Sequence, residues 1–68
     1  MSSENLVYMA NQIGKFFVTQ RTEDPVVGIA DHLEKFWDPR MRGIIREHAA
    51  NGGDGLDPPV LKAVLSLS

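Results

Sequence analysis

A chain of 68 residues with 7 Lys and Arg against 9 Asp and Glu is long enough for one small domain and carries no broadly basic surface. The absence of cysteine excludes disulfides and thiolate zinc sites, while 43% apolar content separates the chain from disordered tails. A domain of this size buries only about 60% of the surface its unfolded form exposes, so support from a partner subunit is expected.

Residues 4–19 predict the first helix, with Ser2 or Ser3 as its cap. Leu6, Met9, Ala10, Ile13, Phe16 and Phe17 fall within about 120° of a helical wheel and predict its core face. Tyr8, Asn11, Lys15 and Thr19 lie on the other side. Three further helices are each announced by Asp-Pro, at Asp24-Pro25, Asp38-Pro39 and Asp57-Pro58. Asp at the N-cap accepts a hydrogen bond from a first-turn amide, and Pro at the first helical position loses no needed donor. These starts predict helices over 25–36, 39–50 and 58–66.

In the second helix Val26, Ile29, Ala30, Leu33, Phe36 and Trp37 share a face, and Asp31 and Lys35 form an exposed i,i+4 pair worth about 0.3 kcal/mol. In the third, Met41, Ile44, Ile45 and His48 line up opposite Arg42 and Arg46. Asn51-Gly52-Gly53 tolerates positive φ and stops that helix. Leu56 precedes the Asp57 cap and is placed to staple against Leu61. The last helix carries Val60, Leu61, Val64 and Leu65, and at about nine residues it requires tertiary or intersubunit packing. No segment alternates with period two, so the expected fold is all-α: a single domain, residues 1–68, of three main helices plus a short C-terminal one.

Catalytic and metal constellations are not evident. His32 and His48 have no second histidine four positions away, and adjacent Asp31 and His32 point about 100° apart on a helix. His48 is expected at the edge of the apolar stripe and His32 beside the core face of its helix. The glycine-rich stretch at 51–55 follows a helix and lacks the Lys-Ser/Thr of a phosphate loop. Glu23 and Asp24 fit a surface loop and a cap, so independent catalysis by this chain is not expected.

The segment Phe36-Trp37-Asp38-Pro39-Arg40-Met41-Arg42 joins two aromatics, a tight helix junction and two arginines. Trp and Arg are enriched in binding hot spots. Trp37 either fills the core or stacks on Arg42 one turn into the next helix. Within that helix no acidic residue stands three or four positions from Arg42 or Arg46, which favours a contact surface for Arg40, Arg42 and Arg46. Three short helices with a basic third one also imitate a helix-turn-helix, but the net charge of −2 and the absence of other basic clusters argue against nucleic acid.

The strings Met9-Ala10-Asn11-Gln12-Ile13, Phe16-Phe17, Ile29-Ala30-Asp31-His32-Leu33 and Phe36-Trp37-Asp38-Pro39-Arg40-Met41-Arg42 resemble, in order and spacing, the small delta subunit of the soluble NAD-dependent formate dehydrogenases. The resemblance spans about residues 6–46, with an echo in Gly52-Gly53 and Leu56. It implies a cytoplasmic complex that oxidises formate to carbon dioxide and passes the electrons to NAD⁺. In that family the chemistry belongs to a catalytic alpha subunit with a molybdenum or tungsten pterin centre and iron-sulfur clusters, and to FMN-bearing and iron-sulfur partners. The delta chain is implied to carry no cofactor.

The leading expectation is therefore a noncatalytic subunit that docks on and stabilises the assembled enzyme, touching neither nucleic acid nor membrane. Trp37, Arg40, Met41 and Arg42 are the expected docking centre, with Asn11 and His32 as secondary polar contacts. The alternatives are a transient assembly factor for cofactor insertion and a small DNA-binding regulator. A homodimer of the isolated chain is a further option, since an unsatisfied docking surface can pair with itself.

Overall fold

The computed structural model describes residues 2–20 and 24–67. Glu23 therefore lies outside the described residues. The described chain forms α1 (Ser3–Thr19), α2 (Pro25–Phe36), α3 (Pro39–Ala50) and α4 (Pro58–Leu65), so the all-α expectation holds and each boundary falls within one residue of its predicted place.

Capping fixes the helix starts. The Ser2 hydroxyl accepts from the Asn5 amide at 3.2 Å, Asp24 Oδ1 from Val26 at 2.9 Å and Asp38 Oδ1 from Met41 at 2.8 Å. Asp57 departs from the expected pattern, because its side chain makes no capping bond. A capping carboxylate seeks the amide of the second or third helical residue; Pro59 removes the second, and the Asp57 side chain makes no bond to the third, Val60.

The stop of α3 is a Schellman turn: the Gly52 amide donates to the Ala49 carbonyl at 3.2 Å and the Gly53 amide to that of His48 at 2.9 Å. Gly52 and Gly53 hold φ of 112° and 65°, where a side chain is strained. The turn is also tied by His48, half-buried as expected, whose Nε2 lies 2.7 Å from the Asp54 carbonyl oxygen.

The core gathers around the shortest helix. Val60, Ala63 and Val64 of α4 are fully buried together with Leu6, Ala10, Ile29, Leu33 and Ile45. The α2–α4 contact is the most extensive in the molecule, α4 also packs on α1 and α3, and α2 and α3, consecutive in the chain, touch least. Of the expected staple pair, Leu56 belongs to this core and Leu61 is half-buried against it.

Four side chains expected inside are instead exposed: Met9 at 42%, Phe16 at 58%, Phe36 at 73% and Leu65 at 59%. In α1 the buried residues are Leu6, Ala10 and Gly14, so the packed face is rotated by roughly 60–80° from the centre of the large-residue stripe. The cause is close approach to α4: a Cβ on Gly14 would lie 2.4 Å from Val60 Cγ2. In α2, Leu33 and Trp37 take the core at that end, which turns the adjacent Phe36 outward. In α4, a tight turn with the Leu67 amide bonded to the Val64 carbonyl at 3.1 Å brings Leu67 inside in place of Leu65.

Candidate functional site

The α2–α3 junction is built from its caps. Trp37 ends α2 with its amide bonded to the Leu33 carbonyl at 3.0 Å, and its side chain is only 5% exposed. Of the two placements the sequence leaves open for Trp37, the structure adopts the core. Its ring is therefore not available as the centre of a docking surface.

Arg42 relates to Trp37 through the backbone. Its Nη1 donates to the carbonyl of Glu34 at 3.1 Å and to that of Trp37. These are carbonyls at the end of α2, where no intrahelical donor remains, and a cation there also complements the negative end of the helix dipole. Arg42 is thus a cap for the preceding helix. Met41 is half-buried against the core, while Arg40 is exposed.

Asn11 also acts inside the molecule. Its Nδ2 donates to the Gly55 carbonyl at 2.9 Å and its Oδ1 accepts the Asp57 amide at 3.0 Å. The side chain replaces the missing aspartate cap as the anchor of the segment that enters α4. Of the six residues expected to bind a partner, Arg40 is exposed, His32 and Met41 are half-buried, and Asn11, Trp37 and Arg42 are engaged internally.

His32 lies in an aromatic strip along α1 and α2. Phe16 and Phe17 meet edge to face with centroids 5.3 Å apart, Phe17 and His32 lie 6.1 Å apart at 68°, and His32 and Phe36 lie 4.7 Å apart at 38°. Phe17 covers the backbone of α2 at Gly28, where a Cβ would come within 2.6 Å of the ring. Two open grooves flank the strip, one between Val27, Asp31 and Phe36 and the other between Gln12 and Phe16, with Phe17 and His32 lining both.

Phe16, Phe36 and Val27, the exposed apolar members of this surface, are absent from the residues the sequence pointed to as partner contacts. The signal that marks them is adjacency: Phe16-Phe17 and Phe36-Trp37 are neighbours on helices and point about 100° apart, so a narrow core face admits one of each pair. The strip is apolar and aromatic, with the exposed Lys35–Asp31 pair at 3.1 Å beside it, as expected from spacing. Such a surface offers shape and apolar area to a protein partner.

Among the described residues no group of three His, Cys, Asp or Glu side chains is placed to hold a metal ion, and no helix is long and apolar enough to cross a membrane. No curated protein and no solved structure matches the chain. The family profile described as NADH-dependent formate dehydrogenase delta subunit FdsD matches residues 5–64, extending through nearly all of α4, which the motif resemblance did not reach. A match over almost the whole length and all four helices means that this chain belongs to the FdsD family of formate dehydrogenase delta subunits.

Proposed function

We propose that the chain is a noncatalytic subunit that docks on the catalytic alpha subunit of a cytoplasmic formate dehydrogenase and stabilises the assembled, cofactor-loaded enzyme. Beyond family membership, the observation that carries this reading is the aromatic strip, where Phe36 is 73% exposed and Phe16 58% exposed beside half-buried Phe17 and His32. Covering such side chains is favourable by about 25 cal/mol per Å². A partner that binds only the folded form raises the stability of a small domain by linkage.

With no cysteine in the chain, the iron-sulfur clusters of the complex belong in this reading to other subunits, as do the molybdenum or tungsten pterin and the FMN. His32 acts as a polar contact at the aromatic strip, while Arg40, exposed on α3, and half-buried Met41 offer a polar and an adaptable apolar contact beyond it. Asn11, Trp37 and Arg42 act indirectly by holding the surface in shape.

The test is affinity purification of the tagged chain from its native host, followed by mass spectrometry and an assay of formate-dependent NAD⁺ reduction. Stoichiometric large subunits with activity are expected, and a Phe16→Asp/Phe36→Asp variant should lose them while keeping its helical circular dichroism. Recovery of the wild-type chain alone, without formate activity, would overturn the reading. Association confined to cofactor-free enzyme would identify an assembly factor instead.

A further inference from the structure

Three glycines stand within helices: Gly14 in α1, Gly28 in α2 and Gly43 in α3. Each weakens its helix by about 0.5–1 kcal/mol relative to alanine. For two of them the molecule itself supplies the reason, since Val60 fills the space beside Gly14 and Phe17 the space beside Gly28. Gly43 has no such neighbour. It is exposed, and a Cβ built there meets nothing within 4 Å.

The residue stands between two cations. Arg40 and Arg46 lie three positions before and after Gly43, which places the glycine midway between them both in rise and in angle, about 60° from each. The two arginine positions span about 9 Å of the helix axis. Both arginines are exposed, and among the described residues the ion pair formed is Lys35–Asp31, elsewhere on α2. With three Arg against one Glu, α3 concentrates positive charge in a chain whose net charge is −2. Beside Gly43 the surface continues into an open groove formed with Ala50 and Leu65, the latter 59% exposed.

We propose that a helix of a neighbouring subunit, bearing carboxylates on the face it presents, crosses α3 at Gly43. The missing side chain admits the partner's backbone at the crossing point. Arg40 and Arg46 receive carboxylates on either side, where guanidinium groups bind them with paired hydrogen bonds. Leu65 is covered by the partner's apolar side chains. A protein helix fits better than a nucleic-acid backbone, because Glu47 shares the groove with Arg46 and the chain as a whole repels polyanions. The proposal rests on the docking reading above and adds to it a second contact surface, its crossing point and the charge of its partner.

The test compares the tagged wild type with Gly43→Leu, Gly43→Ala and Arg40→Glu/Arg46→Glu, each expressed in the native host. The ratio of this chain to the large subunits is measured in the purified enzyme at low and high salt, and thermal unfolding of each isolated chain checks the fold. Gly43→Leu and Gly43→Ala should melt no lower than wild type. Gly43→Leu and the double charge reversal should nevertheless reduce recovery of large subunits at least about tenfold, and raising the salt should weaken wild-type association.

Wild-type recovery by both variants, with the wild type itself stoichiometric, would overturn this inference and leave the docking reading standing. Failure of the wild type to bring down any large subunit would overturn both. Duplex-DNA binding by the wild type that disappears on charge reversal would assign the face to phosphates and overturn the acidic-helix proposal.

Discussion

Asn11 uses both ends of its amide on one loop, donating to the Gly55 carbonyl and accepting from the Asp57 amide. Asn11→Ala removes both bonds and should lower stability by about 1–2 kcal/mol, a fall in Tm on the order of 10 °C for a domain this small. Thermal unfolding followed by circular dichroism checks it, and an unchanged midpoint would mean that the loop holds without its anchor. Arg42 is similar in kind. Arg42→Ala leaves the Glu34 and Trp37 carbonyls without their donor and should cost about 1–2 kcal/mol. Arg42→Lys should recover part of that, since one ammonium on a flexible stem replaces a planar fork. A combined Arg40→Ala/Arg42→Ala variant would therefore mix loss of folding with loss of docking, whereas Arg40→Ala alone isolates the exposed contact.

At the scale of elements, three Asp-Pro starts look alike in sequence but differ in structure. Asp24 and Asp38 make capping bonds and Asp57 makes none. Replacing Asp24 or Asp38 with alanine should cost about 1 kcal/mol each. The same change at Asp57 should stay within about 0.5 kcal/mol, because its side chain makes no capping bond to lose and the backbone amide of residue 57 keeps its bond to Asn11. Urea denaturation of the three variants orders them, and an Asp57→Ala loss equal to that of Asp38→Ala would contradict this account. The element starts themselves were legible in sequence because capping and the proline preference act within one helical turn.

For the molecule as a whole, the shortest helix is the centre of the core. Val60, Ala63 and Val64, with Leu67 just beyond, close the space between the longer helices, and α2 and α3 have little contact of their own. A fragment ending at residue 57 should retain some helical signal and lose its cooperative thermal transition. A sigmoidal melt of that fragment would show that the first three helices are self-sufficient. Small domains have little stability to spare, so removal of the element shared by all the others is more damaging than its eight residues suggest.

Local rules determined the four helices, the Gly52-Gly53 stop, the Lys35–Asp31 pair and the all-α class, since each depends on residues within a few positions of one another. The motifs that resemble the delta subunits likewise run in order along the chain and needed no fold to be recognised. Which aromatic of each adjacent pair turns inward was decided only by tertiary packing. A helical wheel places Phe16 on the apolar stripe, yet α1 buries Leu6, Ala10 and Gly14 and meets α4 at Gly14, where the missing side chain lets Val60 approach. Asn11 was hidden for the same reason: its partners stand 44 and 46 residues away, and no local period announces a hydrogen bond made across that distance. Capping and helical periodicity are short-range and readable from the chain, whereas burial is settled by which surfaces can come close enough to exclude water.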